Sequence, residues 1–132
     1  MLRRILSLGL LFAVGCSDTL EPAPQRTEVP IQQTLSELQG LAFDSFVDES
    51  YKAWLTRFPE QVTLYELESE VGLRPRWLND ISYDYADRTA QLEDGIIDLL
   101  AGYEEASLTP DQRIIRDAYR WFYEDLARAR TL

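Results

Sequence analysis

Apolar side chains recur at three- and four-residue steps over residues 34–58, where Phe43, Phe46, Val47, Tyr51, Trp54, Leu55 and Phe58 fall on one side of a helical wheel. That period predicts one long amphipathic helix. Asp44, Asp48, Glu49 and Lys52 occupy its other faces, with Asp48 four residues before Lys52 in the favourable order. Pro59 ends this helix or opens a short second one, with Val62, Tyr65 and Leu64 as its inward residues. Gly72, Pro75 and the Asn79-Asp80 pair make residues 69–82 a loop with room for one helical turn.

Ser82 is placed to cap a second long helix over residues 83–103, whose seam is Tyr85, Thr89, Leu92, Ile96, Leu99, Leu100 and Tyr103. Gly95 inside it costs roughly 1 kcal/mol against Ala, less than the seam should return. The sharpest local signal is Thr109-Pro110-Asp111-Gln112: an N-cap Thr, Pro in the first turn, an acid at the positive end of the dipole and a Gln to close a capping box. On the helix that follows, Ile115, Ala118, Tyr119, Phe122 and Leu126 form the apolar face, with Arg113, Arg116, Asp117, Arg120 and Glu124 directed to solvent or to neighbouring charges. No segment alternates with a period of two, so the fold class is all-α, with three principal helices and one or two short ones. Ile114 and Trp121 lie off the Ile115/Phe122 face, and the closing ARARTL carries the helical pattern to the last residue without a Gly cap. This reads as residues 34–132 being a helical domain, the N-terminal part of a larger one; a single exposed indole is the plainer alternative for Trp121.

The opening MLRRILSLGLLFAVGCSD is patterned differently, with Arg3 and Arg4 before an apolar stretch over residues 5–14 that ends in small residues. These are the parts of an export signal over residues 1–15. About ten apolar residues at roughly 1.5 Å each fall well short of a hydrocarbon layer about 30 Å thick. Ala13-Val14-Gly15-Cys16 resembles a lipobox, which places cleavage between Gly15 and Cys16 and makes Cys16, the only cysteine, the lipidated residue. The sulfur would carry diacylglycerol and the freed amine a further acyl chain such as palmitate. Two or three chains hold a protein to a membrane far better than one. Residues 16–33, with Pro22, Pro24 and Pro30, read as a tether whose reach is at most on the order of 50 Å. Ser17 in place of Asp favours the outer membrane of a Gram-negative envelope, facing the periplasm.

Charge narrows the partners. Cleavage removes two of 13 basic residues, leaving 11 against 23 acids and a formal charge of −12 on a 117-residue mature chain. Such a chain repels phosphate backbones and anionic head groups, which excludes nucleic acid as a partner. There is no histidine, so Ser-His-Asp and Cys-His catalysis and histidine-ligated zinc are all excluded, and no catalytic or metal residue is assigned. Carboxylates gather at Glu66, Glu68 and Glu70, at Asp80, Asp84 and Asp87, and at Glu104-Glu105, without the spacing of a calcium loop; they read as solvated charges. Trp77, Tyr83 and Tyr85 near Arg76 and Asp80 either line a groove or bury a loop against the helices.

Over residues 43–129 the chain resembles the start of the domain-of-unknown-function 885 family, through FDSFVDESYKAWLTRFPEQVT and DRTAQLEDGIIDLLAGYEEASLTPDQRIIRDAYRWFYEDL, with the LTPDQR step at residues 108–113 between two long helices. The Glu-Leu-Glu-Ser-Glu stretch between Tyr65 and Val71 departs from that family's pattern. The resemblance implies the amino-terminal helical part of a zinc-metallopeptidase-like protein, whose zinc-binding HExxH motif would lie further downstream. No catalytic residue carries over, and no cofactor is expected here, zinc belonging only to complete relatives. The chain is thus expected to be a lipid-anchored, non-catalytic segment whose partners are the membrane, through Cys16, and a missing C-terminal domain. The alternative is a complete small lipoprotein that binds another envelope protein.

Overall fold

The computed structural model describes residues 28–131, all helix and connecting loop, so the Gly15/Cys16 cleavage and lipidation sites lie outside the described residues. Six α-helices run in the order α1 (Ile31–Leu38), α2 (Phe43–Leu55), α3 (Pro59–Leu64), α4 (Glu68–Val71), α5 (Tyr83–Ala101) and α6 (Pro110–Ala129), with a 3-10 turn at Glu105–Ser107 before the last. The all-α expectation holds; α2, α5 and α6 are the longest helices, accompanied by three shorter ones, α1, α3 and α4, where one or two were expected.

The helix expected over residues 34–58 is two. Gly40 takes a left-handed φ of 78°, which an L side chain adopts only at a cost, and the chain turns there between α1 and α2. The first of the two starts at Ile31, so the last three residues assigned to the tether are helical. Pro30 precedes it at the N-cap, and Ile31 and Leu38 are buried at its ends. Between them Leu35 packs on α5 at Gly95, where an added Cβ would stand 2.4 Å from Leu35 Cδ1 and 2.6 Å from Cδ2. Gly95 is therefore a contact residue between α1 and α5, besides being a weak point in helix propensity. Gly95→Ala is expected to lower stability by about 1 kcal/mol: overpacking costs roughly 1–3 kcal/mol, and the propensity gain returns close to 1. Denaturant unfolding of Gly95→Ala with and without Leu35→Ala tests this, because the loss should vanish once Leu35 is trimmed.

The long helix α2 buries Phe43, Phe46, Ser50, Trp54 and Leu55, and its Asp48 to Lys52 bond is formed on the exposed face at 2.7 Å. Pro59 opens α3 as the chain pattern indicated, and Val62 is fully buried. Leu64 and Tyr65 are not inward: both are exposed, because α3 closes immediately in a turn with Glu66 left-handed at φ 55°. In that turn Leu67 N–H donates to the Val62 carbonyl and Glu66 N–H to that of Thr63, so the last helical carbonyls are satisfied without a further inward residue.

Ser82 caps α5 by accepting the Tyr85 N–H at 3.3 Å, and Tyr85, Thr89, Leu92, Ile96 and Leu100 are buried as the seam predicts. The Thr109/Gln112 capping box of α6 is complete in both directions. The face of α6 needs correction. Arg116 and Tyr123 are buried and Ile115 is 44 % exposed, so the helix is rolled away from the Ile115/Ala118 side. The roll follows from ring volume: Tyr123 fills the space among Trp54, Tyr119 and Phe122, at centroid distances of 6.4, 4.9 and 5.1 Å. Arg116 fits inside because its head turns back to Asp117 at 3.0 Å and to the Tyr103 carbonyl. No helix among the described residues is long and apolar enough to cross a membrane.

Candidate functional site

Three places on this scaffold hold more than ordinary packing. The first is a buried polar seam between α2, α5 and α6. Ser50, fully buried, donates to the Phe46 carbonyl at 2.5 Å and meets the Tyr119 hydroxyl at 2.8 Å, which in turn lies 3.3 Å from that of Tyr123. A turn further along, the Trp54 indole N–H donates to Glu93 at 3.0 Å, and Arg130 reaches the other Glu93 oxygen at 3.3 Å. Burial raises the Glu93 carboxyl above the usual carboxylate range, against the lowering effects of Trp54 and Arg130. Burial likewise raises Tyr119 and Tyr123, so both phenols stay protonated and act as neutral hydrogen-bonding groups.

Glu93 makes stability depend on pH with a definite sign. Its folded pKa is raised, so its contribution is fully present below the ordinary value of 4.5 and is lost as pH rises through the folded value. Glu93→Gln is therefore expected to remove part of the decline in stability above pH 4.5, seen as a gap to the wild type that narrows with acidification. Unfolding curves of the two proteins across that window check it; a gap that widens at low pH would contradict the assignment.

The second place is an open cleft of about 590 Å³ between α1, α2 and the loop after α4, with Ile31, Leu38, Leu41, Val71 and Leu92 among its apolar walls. At its edge Arg57, 4 % exposed, donates through Nε to Thr89 at 3.0 Å and through Nη2 to the Tyr85 carbonyl at 3.0 Å. Its guanidinium lies 3.7 Å over the Tyr85 ring and pairs with Glu28, which also pairs with Arg88 at 3.0 Å. Trp77 lines the cleft, and its buried indole N–H meets no acceptor among the described residues. The aromatic group suggested by the sequence is thus divided: Tyr85 is core beneath Arg57, Trp77 is in the cleft wall, and Tyr83 stands 92 % exposed, with Arg76 and Asp80 also on the surface.

The third place is the outer side of α6. Ile114 and Trp121 are 70 % and 63 % exposed, with Ala118 exposed on the turn between them and half-exposed Ile115 at the flank. Residues three, four and seven apart share a helix face, so these side chains form one apolar stripe. Glu66 and Glu70, the three aspartates at 80, 84 and 87, and Glu104-Glu105 are all exposed, and Glu68 is half-buried. Among the described residues no group of three or more such side chains is placed to hold a metal. Ile114 and Trp121 were marked by their position off the apolar face, whereas Glu93 and Arg57 were not; the one available sign for Glu93 was its position four residues after Thr89 on the buried seam.

Comparison with protein-family models, with curated proteins and with solved structures finds no match to this chain.

Proposed function

We propose that this protein is a lipid-anchored helical segment of the bacterial envelope, without a catalytic centre of its own, that works by packing the outer side of α6 against another protein body. The observation that carries the reading is the Ile114/Ala118/Trp121 stripe, which exposes large apolar side chains on a helix whose opposite side is fully engaged in the core. Apolar residues clustered on an otherwise charged surface mark contact sites. The Ala13-Val14-Gly15-Cys16 lipobox supports attachment at Cys16, and the likeness to the domain-of-unknown-function 885 family supports a body of peptidase-like kind as what α6 meets. The absence of histidine from the chain supports a supporting role over a zinc-dependent or triad-type reaction.

Two measurements test the two halves separately. Wild-type protein from its own bacterium should fractionate with membranes and carry acyl mass on the peptide beginning at Cys16, whereas Cys16→Ser should be unacylated and leave the membrane fraction. An unmodified Cys16 would overturn the anchor. For the contact, Trp121→Lys should leave the far-ultraviolet dichroism unchanged while abolishing cross-links formed from position 114. Persistence of those cross-links would place the contact elsewhere.

A further inference from the structure

We infer that the outer side of α6 is built for a cationic amphipathic helix, an inference that rests on the docking role proposed above and gives its partner a chemistry. Around the apolar stripe the exposed charges are mostly of one sign. Asp111 lies three residues before Ile114, Asp117 lies between Ile114 and Trp121, and Glu124 and Asp125 follow Trp121 by three and four, all four carboxylates being exposed. Of the arginines on this helix and at its C-cap, Arg120 is half-buried and three others are drawn away from the stripe. Arg116 is buried against Asp117, Arg113 donates to the Glu105 and Leu108 carbonyls, and Arg130 reaches back to Glu93 and Asp94 on α5. Arg128 bonds Asp125 at 2.9 Å, while Asp111 and Glu124 have no ion pair among the described residues.

An apolar ridge bordered by four exposed carboxylates, two of them without an ion pair among the described residues, selects a partner with the inverse pattern: an apolar ridge bordered by Lys and Arg. A second copy of this chain fits poorly, since it would bring the same acidic border against itself, and like charges in apposition cost several kcal/mol. An anionic bilayer surface is repelled for the same reason. From residue 111 to residue 125 the stripe and its border extend about 21 Å at a rise of about 1.5 Å per residue, so a matching helix needs about fourteen residues, or four turns. Ile114 and Trp121 then serve as anchors seven residues apart, about 10 Å along the axis, and the acids steer approach.

Two experiments test this. In the first, full-length protein in its own bacterium carries a photo-cross-linking residue in place of Trp121, and the cross-linked peptide is sequenced. A captured segment with Lys or Arg at helical spacing beside apolar residues supports the inference. An acidic or neutral segment overturns it and leaves the docking role standing, and capture of the chain itself assigns the face to a homodimer. Absence of any protein cross-link sinks the docking role as well. In the second, mature protein in nanodiscs of zwitterionic lipid is titrated with a Leu/Lys helix of eighteen residues and with its Leu/Glu counterpart, while amide shifts are followed. The Leu/Lys helix is expected to bind at least tenfold more tightly and to perturb α6 at residues 114–125. Asp111→Asn with Glu124→Gln should weaken it severalfold, and Trp121→Lys at least tenfold. Equal binding of both helices, or perturbation centred on Glu66 to Glu70 instead of α6, would overturn the inference.

Discussion

Tyr123→Ala is expected to lower the stability of this protein by about 3–5 kcal/mol, the range for removing a large aromatic side chain from a closed core. Domains of this size hold about 5–15 kcal/mol in total, so the variant would be partly unfolded at room temperature or close to it. The size of the effect follows from position. Tyr123 is fully buried, sits edge-on to Trp54 of α2 and to Tyr119 and Phe122 of its own helix, and belongs to the one core cluster that also holds Phe46, Leu92 and Ile96. Without the ring, α6 keeps its contact with α5 but loses the filling between itself and α2. Tyr123→Phe separates volume from hydrogen bonding. It should cost no more than about 1.5 kcal/mol, because the Tyr119 hydroxyl retains Ser50 at 2.8 Å and the Val47 carbonyl at 3.2 Å. Urea unfolding followed by tryptophan fluorescence and far-ultraviolet dichroism measures both. Similar losses in the two variants would mean that the phenol oxygen, and not the ring, holds α6 in place.

That the decisive ring escaped the sequence pattern has a physical cause. Helix starts written in short local chemistry were legible: Ser82 for α5 and the Thr109 to Gln112 box for α6 are bonds between residues three apart, independent of the rest of the chain. The orientation of α6 about its axis is a tertiary property. Ile115 and Ala118 look inward by hydropathy, yet Tyr123 and the stem of Arg116 enclose more surface, and Arg116 enters the core only because Asp117 and the Tyr103 carbonyl receive its head. The break at Gly40 was hidden differently. The apolar spacing of α2 is strong enough to extend past its own start, and only the glycine marks the turn. Glu93 shows the same limit within the site, since a lone acid on a seam reads as a surface charge until Trp54, thirty-nine residues away in sequence, is seen to bond it. The exposed Ile114 and Trp121 were readable because they lay outside every face the pattern could bury.

The second large effect is expected at Arg57, where Arg57→Ala should cost about 3 kcal/mol. Breaking a buried charge pair typically costs 3–5 kcal/mol, chiefly through the group left behind. Here that group is Glu28, whose side chain keeps 27 % exposure and a second partner in Arg88, which moves the expectation to the lower end. The remaining loss comes from the other sides of the guanidinium: Thr89 and the Tyr85 carbonyl lose a donor, and the Tyr85 ring loses the cation above it. Tyr85 is tied to the same residue a second time, its hydroxyl donating to the Arg57 carbonyl at 2.9 Å, so the ring is held in place while its cover is removed. Arg57→Lys keeps the charge but not the planar fork, and should recover less than half of the loss. Glu28→Gln should cost about 1 kcal/mol, as expected for a partly exposed partner. The ranking Ala, then Lys, then Glu28→Gln is the test, read from denaturant midpoints at constant slope. If Glu28→Gln proved as costly as Arg57→Ala, the ion pair alone would hold the segment before α1 against the link between α2 and α3. The expected order instead makes Arg57 a core residue of the bundle, with Glu28 fastening the segment just before α1 to it.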